Sequence, residues 1–389
     1  MSSMQQYIAD AVQSLKPSGI RKFFDLVAQT EGVISLGVGE PDFVTPWHIR
    51  EACLYSLENG YTMYTSNLGL PELREEISYY EQRAIGVGYS PQDQILVTVG
   101  VSEAIDIALR SLLEPGDEVL IPEPCYVSYA PGVLLAYGKP VPLACCAADQ
   151  YRLQPAELAA KITPRTKVLI LAYPNNPTGA VMEKEDLEAL REIIIKNDLI
   201  VISDEIYAEL SYQSRHFSIA ALPGMVERTI VMNGFSKAYA MTGWRIGYAC
   251  GHKDIIAAMT KIHQYTIMCA PIMAQKAAIE ALRHGETEMR KMVADYDYRR
   301  KLMYSGLNEI GLPCFEPQGA FYCFPSIKST GMNSEEFSEK LLFEEQVAVV
   351  PGNAFGESGE GHIRCCYAAS VKNIETALKK MQSFVIRHS

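Results

Sequence analysis

Lys237 is the residue best placed by its neighbours to do covalent chemistry. It lies in Asn233-Gly-Phe-Ser-Lys237-Ala-Tyr-Ala-Met-Thr-Gly-Trp-Arg245-Ile-Gly247, just past the apolar run Thr229-Ile-Val-Met232. Such a run reads as a buried strand, and open α/β sheets hold their ligands just beyond the carboxyl ends of strands. A lysine amine attacks carbonyls only when unprotonated. An apolar, cation-rich pocket lowers its pKa in that direction, and Arg245 could supply the cation. On this segment alone a solvated loop lysine explains the residue equally well.

Three more strand-like runs end in distinctive polar groups. After Lys167-Val-Leu-Ile-Leu-Ala172 comes Tyr173-Pro-Asn-Asn-Pro-Thr-Gly179, a proline-rich turn in which Asn176 can hold an amide donor towards a ligand oxygen. After Leu199-Ile-Val-Ile-Ser203 comes Asp204-Glu-Ile-Tyr207. If a helical turn begins there, three-residue spacing puts Asp204 and Tyr207 on one side of it. Asp204 could equally be a helix N-cap, and as a buried carboxylate it would need a cation or several donors. After Ile95-Leu-Val-Thr-Val99, Gly100-Val-Ser-Glu-Ala104 opens a helix. Its free amides and positive dipole end make an anion site, with Ser102 adding a hydroxyl or serving only as the cap.

A lysine, a carboxylate, a phenol, an amide, an arginine and a helix N-terminus suit pyridoxal 5′-phosphate. That cofactor needs a lysine for its aldehyde, an acid opposite its pyridine nitrogen, donors for its phenolic oxygen and an anion site for its phosphate. Nucleotide cofactors fit less well. Gly37-Val-Gly39 runs into Glu40-Pro41, without the third glycine and helix start of the dinucleotide fingerprint, and no Gly-x-x-x-x-Gly-Lys-Ser/Thr loop occurs.

The elements that must position these groups follow from the wider pattern. From about Thr45 to His284, apolar runs alternate with helical patterns, as a mainly parallel sheet with crossover helices requires. Continuous apolar runs suit strands covered on both faces. A long charged helix, roughly Glu286 to Ile310, then breaks the rhythm. An α+β tail follows, with candidate strands at Ala320–Phe324 and His362–Cys366. The expected organisation is an α/β large domain over 45–284, its sheet sandwiched by helices. A smaller α+β domain would be built from both chain ends, 285–389 with the segment 1–44, where Val33-Ile-Ser-Leu36 reads as a lone strand.

Bulk properties exclude several function classes. With 48% apolar and 21% charged residues over 389 positions, the chain is an ordinary globular protein long enough for two domains. A formal net charge of −11 and no basic run argue against nucleic-acid binding. The start of the chain lacks the regions of a signal peptide and no segment has the apolar length of a membrane helix, which points to a cytoplasmic protein. Ten cysteines without Cys-x-x-Cys spacing read as free thiols, and seven scattered histidines suggest no metal site.

From about Ser18 to the carboxyl terminus the chain resembles the fold type I, class I pyridoxal-phosphate aminotransferases. The resemblance is carried by Ser-Lys-x-x-x-Met-Thr-Gly-Trp-Arg, Asn-Asn-Pro-Thr-Gly and Ser-Asp-Glu-Ile-Tyr in that family's order. It implies that Lys237 bonds to the cofactor aldehyde, Asp204 pairs with the pyridinium, and Asn176 and Tyr207 hold the phenolic oxygen. Arg245 and the amides of Val101 and Ser102 would bind phosphate, and Tyr126 would stack on the ring. Arg364, in His362-Ile-Arg-Cys-Cys366, would grip the substrate α-carboxylate, as a planar guanidinium does well. Gly39 would bring backbone close to the substrate. Tyr64 would reach the neighbouring subunit's phosphate, which implies a homodimer with shared sites.

This chain departs from the family at Gly234, where many relatives carry a phosphate-binding serine, so Ser236 would substitute or that contact would be missing. Ser18-Gly-Ile-Arg-Lys-Phe-Phe24 resembles a segment of the subgroup holding aromatic, aspartate and N-acetyl-diaminopimelate aminotransferases, where it lies near the active site; Arg21 would be a surface residue or meet a substrate carboxylate. The expected reaction is transfer of an amino group from an L-amino acid to a 2-oxo acid such as 2-oxoglutarate. The nearest alternative is a carbon-sulfur β-lyase on the same fold. A ligand-sensing transcription regulator would be expected to carry an added basic domain, for which this acidic chain has no room before its first strand.

Overall fold

The computed structural model describes residues 4–15 and 32–388. The reading of Arg21 and of Ser18–Phe24 therefore lies outside the described residues. In chain order the strands are β1 (Ile34–Ser35), β2 (Ile95–Thr98), β3 (Glu118–Glu123), β4 (Lys139–Ala144), β5 (Thr166–Ala172) and β6 (Ile200–Asp204). Then come β7 (Thr229–Gly234), β8 (Gly247–Cys250), β9 (Tyr322–Cys323), β10 (Val347–Ala348), β11 (Val350–Pro351) and β12 (Ile363–Cys366).

Seven of these form the central sheet, in the order β2-β8-β7-β6-β5-β3-β4. Side chains alternate along each strand, which sorts them into separate cores on the two faces. On β5, Val168 and Ile170 join a cluster with Ala104, Ala108, Ile256 and Met259 of the helices Gly100–Leu112 and Lys253–Thr266. Leu169 and Leu171 face the other way, among Leu187, Leu190 and Ile194 of the helix Lys184–Lys196. Burial on both faces explains why these strands read as unbroken apolar runs.

The β3–β4, β3–β5, β5–β6 and β6–β7 pairings are parallel. Strand β8 runs antiparallel to both β2 and β7. The segment between β7 and β8 holds only a short 3₁₀ turn, Thr242–Trp244, and no crossover helix, so the chain folds straight back. That return carries both Lys237 and Arg245. Strand β4 is equally hard to see in the sequence because it contains Pro140 and Pro142, residues a sheet tolerates only at its edge, and β4 is the edge strand.

Beyond the sheet, the helix Glu286–Glu309 buries Met289, Met292, Tyr296, Arg299, Arg300, Met303 and Leu307. These recur every three or four residues, the stripe of an amphipathic helix. Each fully buried Met or Leu in it contributes about 1.5–3 kcal/mol. The two arginines are tolerated because they are paired. Arg299 Nη1 donates to Asp42 at 2.7 Å and to the Ala369 carbonyl at 2.9 Å, and Arg300 Nη1 donates to Glu316 at 2.7 Å.

Strand β1 pairs in parallel with β10, and β11, β12 and β9 form an antiparallel sheet. The tail strands are shorter than their apolar runs: Ala320–Phe324 narrows to Tyr322–Cys323. A single apolar cluster joins Val231 and Tyr248 of the large sheet to Phe321, Ile363 and Phe384 of the tail. The core is therefore continuous across residue 285. All ten cysteines are free. Among the described residues no helix is long and apolar enough to cross a membrane.

Candidate active site

The carboxyl ends of β2, β5, β6 and β7 open into one cavity of about 370 Å³. Its wall includes Val101, Ser102, Tyr126, Asn176, Asp204 and Tyr207, with Ser236, Lys237 and Arg245 from the β7–β8 return. Gly39 and Arg364, from opposite ends of the chain, close it. Tyr64 is not in this wall; its side chain is 80% exposed.

Lys237 Nζ donates a 2.7 Å hydrogen bond to the Gly39 carbonyl and sits 5.8 Å and 5.6 Å from the ring centroids of Tyr207 and Phe321. Burial lowers its pKa to about 8, helped by the positive charges of Arg364 and Arg245 and opposed by Cys366 and Glu40. At pH 7 about a tenth of such an amine is unprotonated, against about one in three thousand for an ordinary lysine. The cavity thus holds a usable nucleophile and base.

Asp204 is the last residue of β6 and caps no helix; a turn follows it. Its Oδ2 accepts from the Tyr129 hydroxyl at 2.7 Å and its Oδ1 from the Ile206 N–H at 3.2 Å. Burial nevertheless raises its pKa to about 6. Two donors and the more distant charge of Lys237 do not replace the lost water, and no cation pairs directly with this carboxylate among the described residues. The Tyr207 and Tyr322 hydroxyls share a 2.8 Å hydrogen bond, and burial holds both phenols protonated.

The end of the cavity at the helix start depends on glycines. Gly100, first residue of the helix Gly100–Leu112, has φ +76°, and a Cβ there would come within 2.7 Å of Arg245 Nη2. A Cβ on Gly247 would lie 2.9 Å from the Gly100 carbonyl carbon. Only bare backbone lets the β7–β8 return lie against the helix start and bring the guanidinium beside its unpaired amides. Gly234 belongs to the same contact: its Cβ would meet Gly247 Cα at 3.0 Å and the Ile246 carbonyl at 3.1 Å. That crowding is a physical reason for glycine here instead of serine, and Ser236 supplies the nearby hydroxyl on the wall.

Arg364, on β12, is 4% exposed. Its Nη1 donates to Asn176 Oδ1 at 2.9 Å and its Nη2 to the Gly37 carbonyl at 2.6 Å. Its guanidinium carbon lies 4.4 Å from the Tyr322 ring centroid and 4.8 Å from that of Phe355. The rings pack against it, and its buried Nε has no hydrogen-bond partner among the described residues. Because Asn176 accepts through its oxygen, its amide N–H groups are left to donate.

Residues 31–381 match the model of the aminotransferase class I and II family. The chain belongs to that family. It is 55% identical to a Bacillus subtilis protein named as an aminotransferase, covering 98% of this chain and 99% of that one. It is 47% identical to an aspartate aminotransferase of Pyrococcus abyssi, over 96% and 97% of the two chains. The crystal structure of an aromatic aminotransferase from Pyrococcus horikoshii superposes with a TM-score of 0.90 at 45% identity, over 94% of this chain and 99% of that one. The protein is an aminotransferase, and its fold neighbours share the helix-flanked, mainly parallel sheet.

Several wall residues of this aminotransferase escaped the sequence reading. Tyr129, which orients Asp204, stands three residues after Tyr126, and the two rings meet edge to face at 5.6 Å. That spacing was a visible signal. Tyr322, which contacts Tyr207 and Arg364, looked like any aromatic strand residue and carried no local signal. Thr242 bonds Glu40 and offers its carbonyl to Arg245 Nη1 at 3.0 Å, a contact made only by the fold.

Proposed function

We propose that the cavity holds pyridoxal 5′-phosphate and that the enzyme moves an amino group from an L-amino acid to a 2-oxo acid, with 2-oxoglutarate as acceptor and one product leaving before the second substrate enters. One observation carries the reading: a lysine with lowered pKa, a buried carboxyl lacking a cation and an arginine-flanked helix start share a single cavity. The fit is chemical as well as spatial. A pyridinium would supply the cation Asp204 lacks, and a phosphate suits unpaired amides beside Arg245.

When bound, the cofactor supplies an aldehyde for the amino group and a ring that takes up electron density from the substrate α-carbon. Lys237 Nζ, partly unprotonated near neutral pH, accepts the α-proton and can return one. Asp204 stabilises positive charge placed against it. Asn176 and Tyr207 donate to an oxygen, and Tyr126 packs against a flat ring. Arg364 exchanges its backbone and amide acceptors for a substrate carboxylate, a charge-assisted pair stronger than either. Gly39 leaves room for the substrate beside Lys237.

Borohydride reduction of the cofactor-loaded protein should fix a pyridoxyl group on Lys237, and Lys237→Ala should lower turnover by roughly four orders of magnitude. A label elsewhere, or near-normal turnover in the variant, refutes the assignment. Strict dependence on an acceptor separates transamination from β-elimination; release of pyruvate and ammonia from cystathionine without any acceptor would reverse the reading. Aspartate, aromatic amino acids and N-acetyl-diaminopimelate are the donors to compare, since relatives carry names from each class.

We also propose a homodimer in which Tyr64 reaches the partner's phosphate. In support, Trp47, Met63, Tyr64 and Tyr265 are each more than half exposed. The segments of Met63, Tyr64 and Tyr265 adjoin, for Asn67 Nδ2 donates to the Met268 carbonyl at 2.7 Å. The division at residues 44 and 284 remains our description of two units, one bearing the phosphate end and the other Arg364.

A further inference from the structure

Behind the phosphate end of the cavity lie a hydrogen-bonded histidine and glutamate that do not touch it. His263, on the helix Lys253–Thr266, has a side chain with no exposure, and its Nδ1 is 2.6 Å from Glu103 Oε1. Its Nε2 has no hydrogen-bond partner among the described residues. The other oxygen of Glu103 accepts the Val99 N–H at 2.5 Å. Glu103 is the residue after Ser102, in the first turn of the helix Gly100–Leu112. The carboxylate therefore reaches back across the turn that joins β2 to this helix and is held from behind by a second helix.

This arrangement has two opposing effects on an anion. Tying the Val99 amide fixes the backbone that aims the amides of Val101 and Ser102 into the cavity. A carboxylate at that helix end also competes with a phosphate for the same positive pole. A donor on Glu103 draws its charge away from the cavity. We propose that Glu103 and His263 are positioning residues for the cofactor phosphate, Glu103 by shaping the helix start and His263 by holding Glu103 and screening its charge. The inference rests on the pyridoxal-phosphate reading above.

The test compares pyridoxal 5′-phosphate with pyridoxal, which lacks the phosphate, in absorbance titrations of the full cofactor-free chain. His263→Leu should weaken pyridoxal phosphate about tenfold, the scale of one charge-assisted hydrogen bond, and leave pyridoxal unchanged. Glu103→Gln keeps an acceptor for Val99 and removes the competing charge, so it should tighten pyridoxal phosphate and leave pyridoxal unchanged. The double variant Glu103→Gln with His263→Leu should regain the affinity lost in His263→Leu. Should His263→Leu not fold, Glu103→Leu carries the same test, with the loss again confined to the phosphorylated form. Equal losses for both ligands, or none for either, overturn the proposal. If the wild type binds neither ligand, the cofactor reading itself fails.

Discussion

Two adjacent carboxyl groups show how far the environment of one residue sets its chemistry. Asp204 and Glu205 point to opposite faces of the chain at the end of β6, and both are buried. Glu205 stays ionised, its pKa lowered despite burial by His216, Ser218 and Ser203, whereas Asp204 is raised to about 6. A raised folded-state pKa means that the contribution of Asp204 to the stability of the cofactor-free protein falls as pH climbs from about 4 to about 6, by about 3 kcal/mol in all. Asp204→Asn should therefore raise the melting temperature of the cofactor-free protein at pH 7, have little effect at pH 4, and nearly abolish transamination. Scanning calorimetry at the two pH values checks the sign. Cofactor binding should reverse the sign of the Asp204 contribution by supplying a cation to it.

At the scale of elements, the proposed phosphate end is made by the meeting of a helix start with a strand return. Gly100→Ala tests that junction. A left-handed conformation costs a residue with a side chain roughly 1–2 kcal/mol, and the added carbon also crowds Arg245. Urea unfolding should show a loss of that size, and pyridoxal phosphate affinity should fall more than pyridoxal affinity. The arginine itself has φ 52°, so the return is bent into place by the packing of β7 and β8 on the helix, against Arg245's own local preference.

At the scale of the whole molecule, Trp47, Met63, Tyr64 and Tyr265 are large apolar residues left exposed, as a covering second copy of the chain would explain. Sedimentation should give about twice the chain mass of 43.2 kDa. Met63→Asp, which places a charge in that patch, should shift the population to monomer and weaken pyridoxal phosphate in step. Tyr64→Ala should leave the dimer intact and weaken the cofactor alone. A monomeric wild type with full cofactor affinity would refute the shared site.

Much of this was readable in the amino-acid order. Chemistry at strand ends is local: an apolar run followed by Lys237, Asp204, Asn176 or the Gly100 helix start marks each position, because a strand's end fixes where the next side chains project. The alternation of runs and helical patterns likewise announced a sheet covered on both faces. Other features were decided only in three dimensions. The sequence around β8 does not state that it reverses direction, Tyr322 gives no hint that it will lie beneath Arg364, and Glu103 and His263 are separated by most of the large sheet. Such contacts depend on which faces of distant elements pack together, and that choice belongs to the free energy of the whole core.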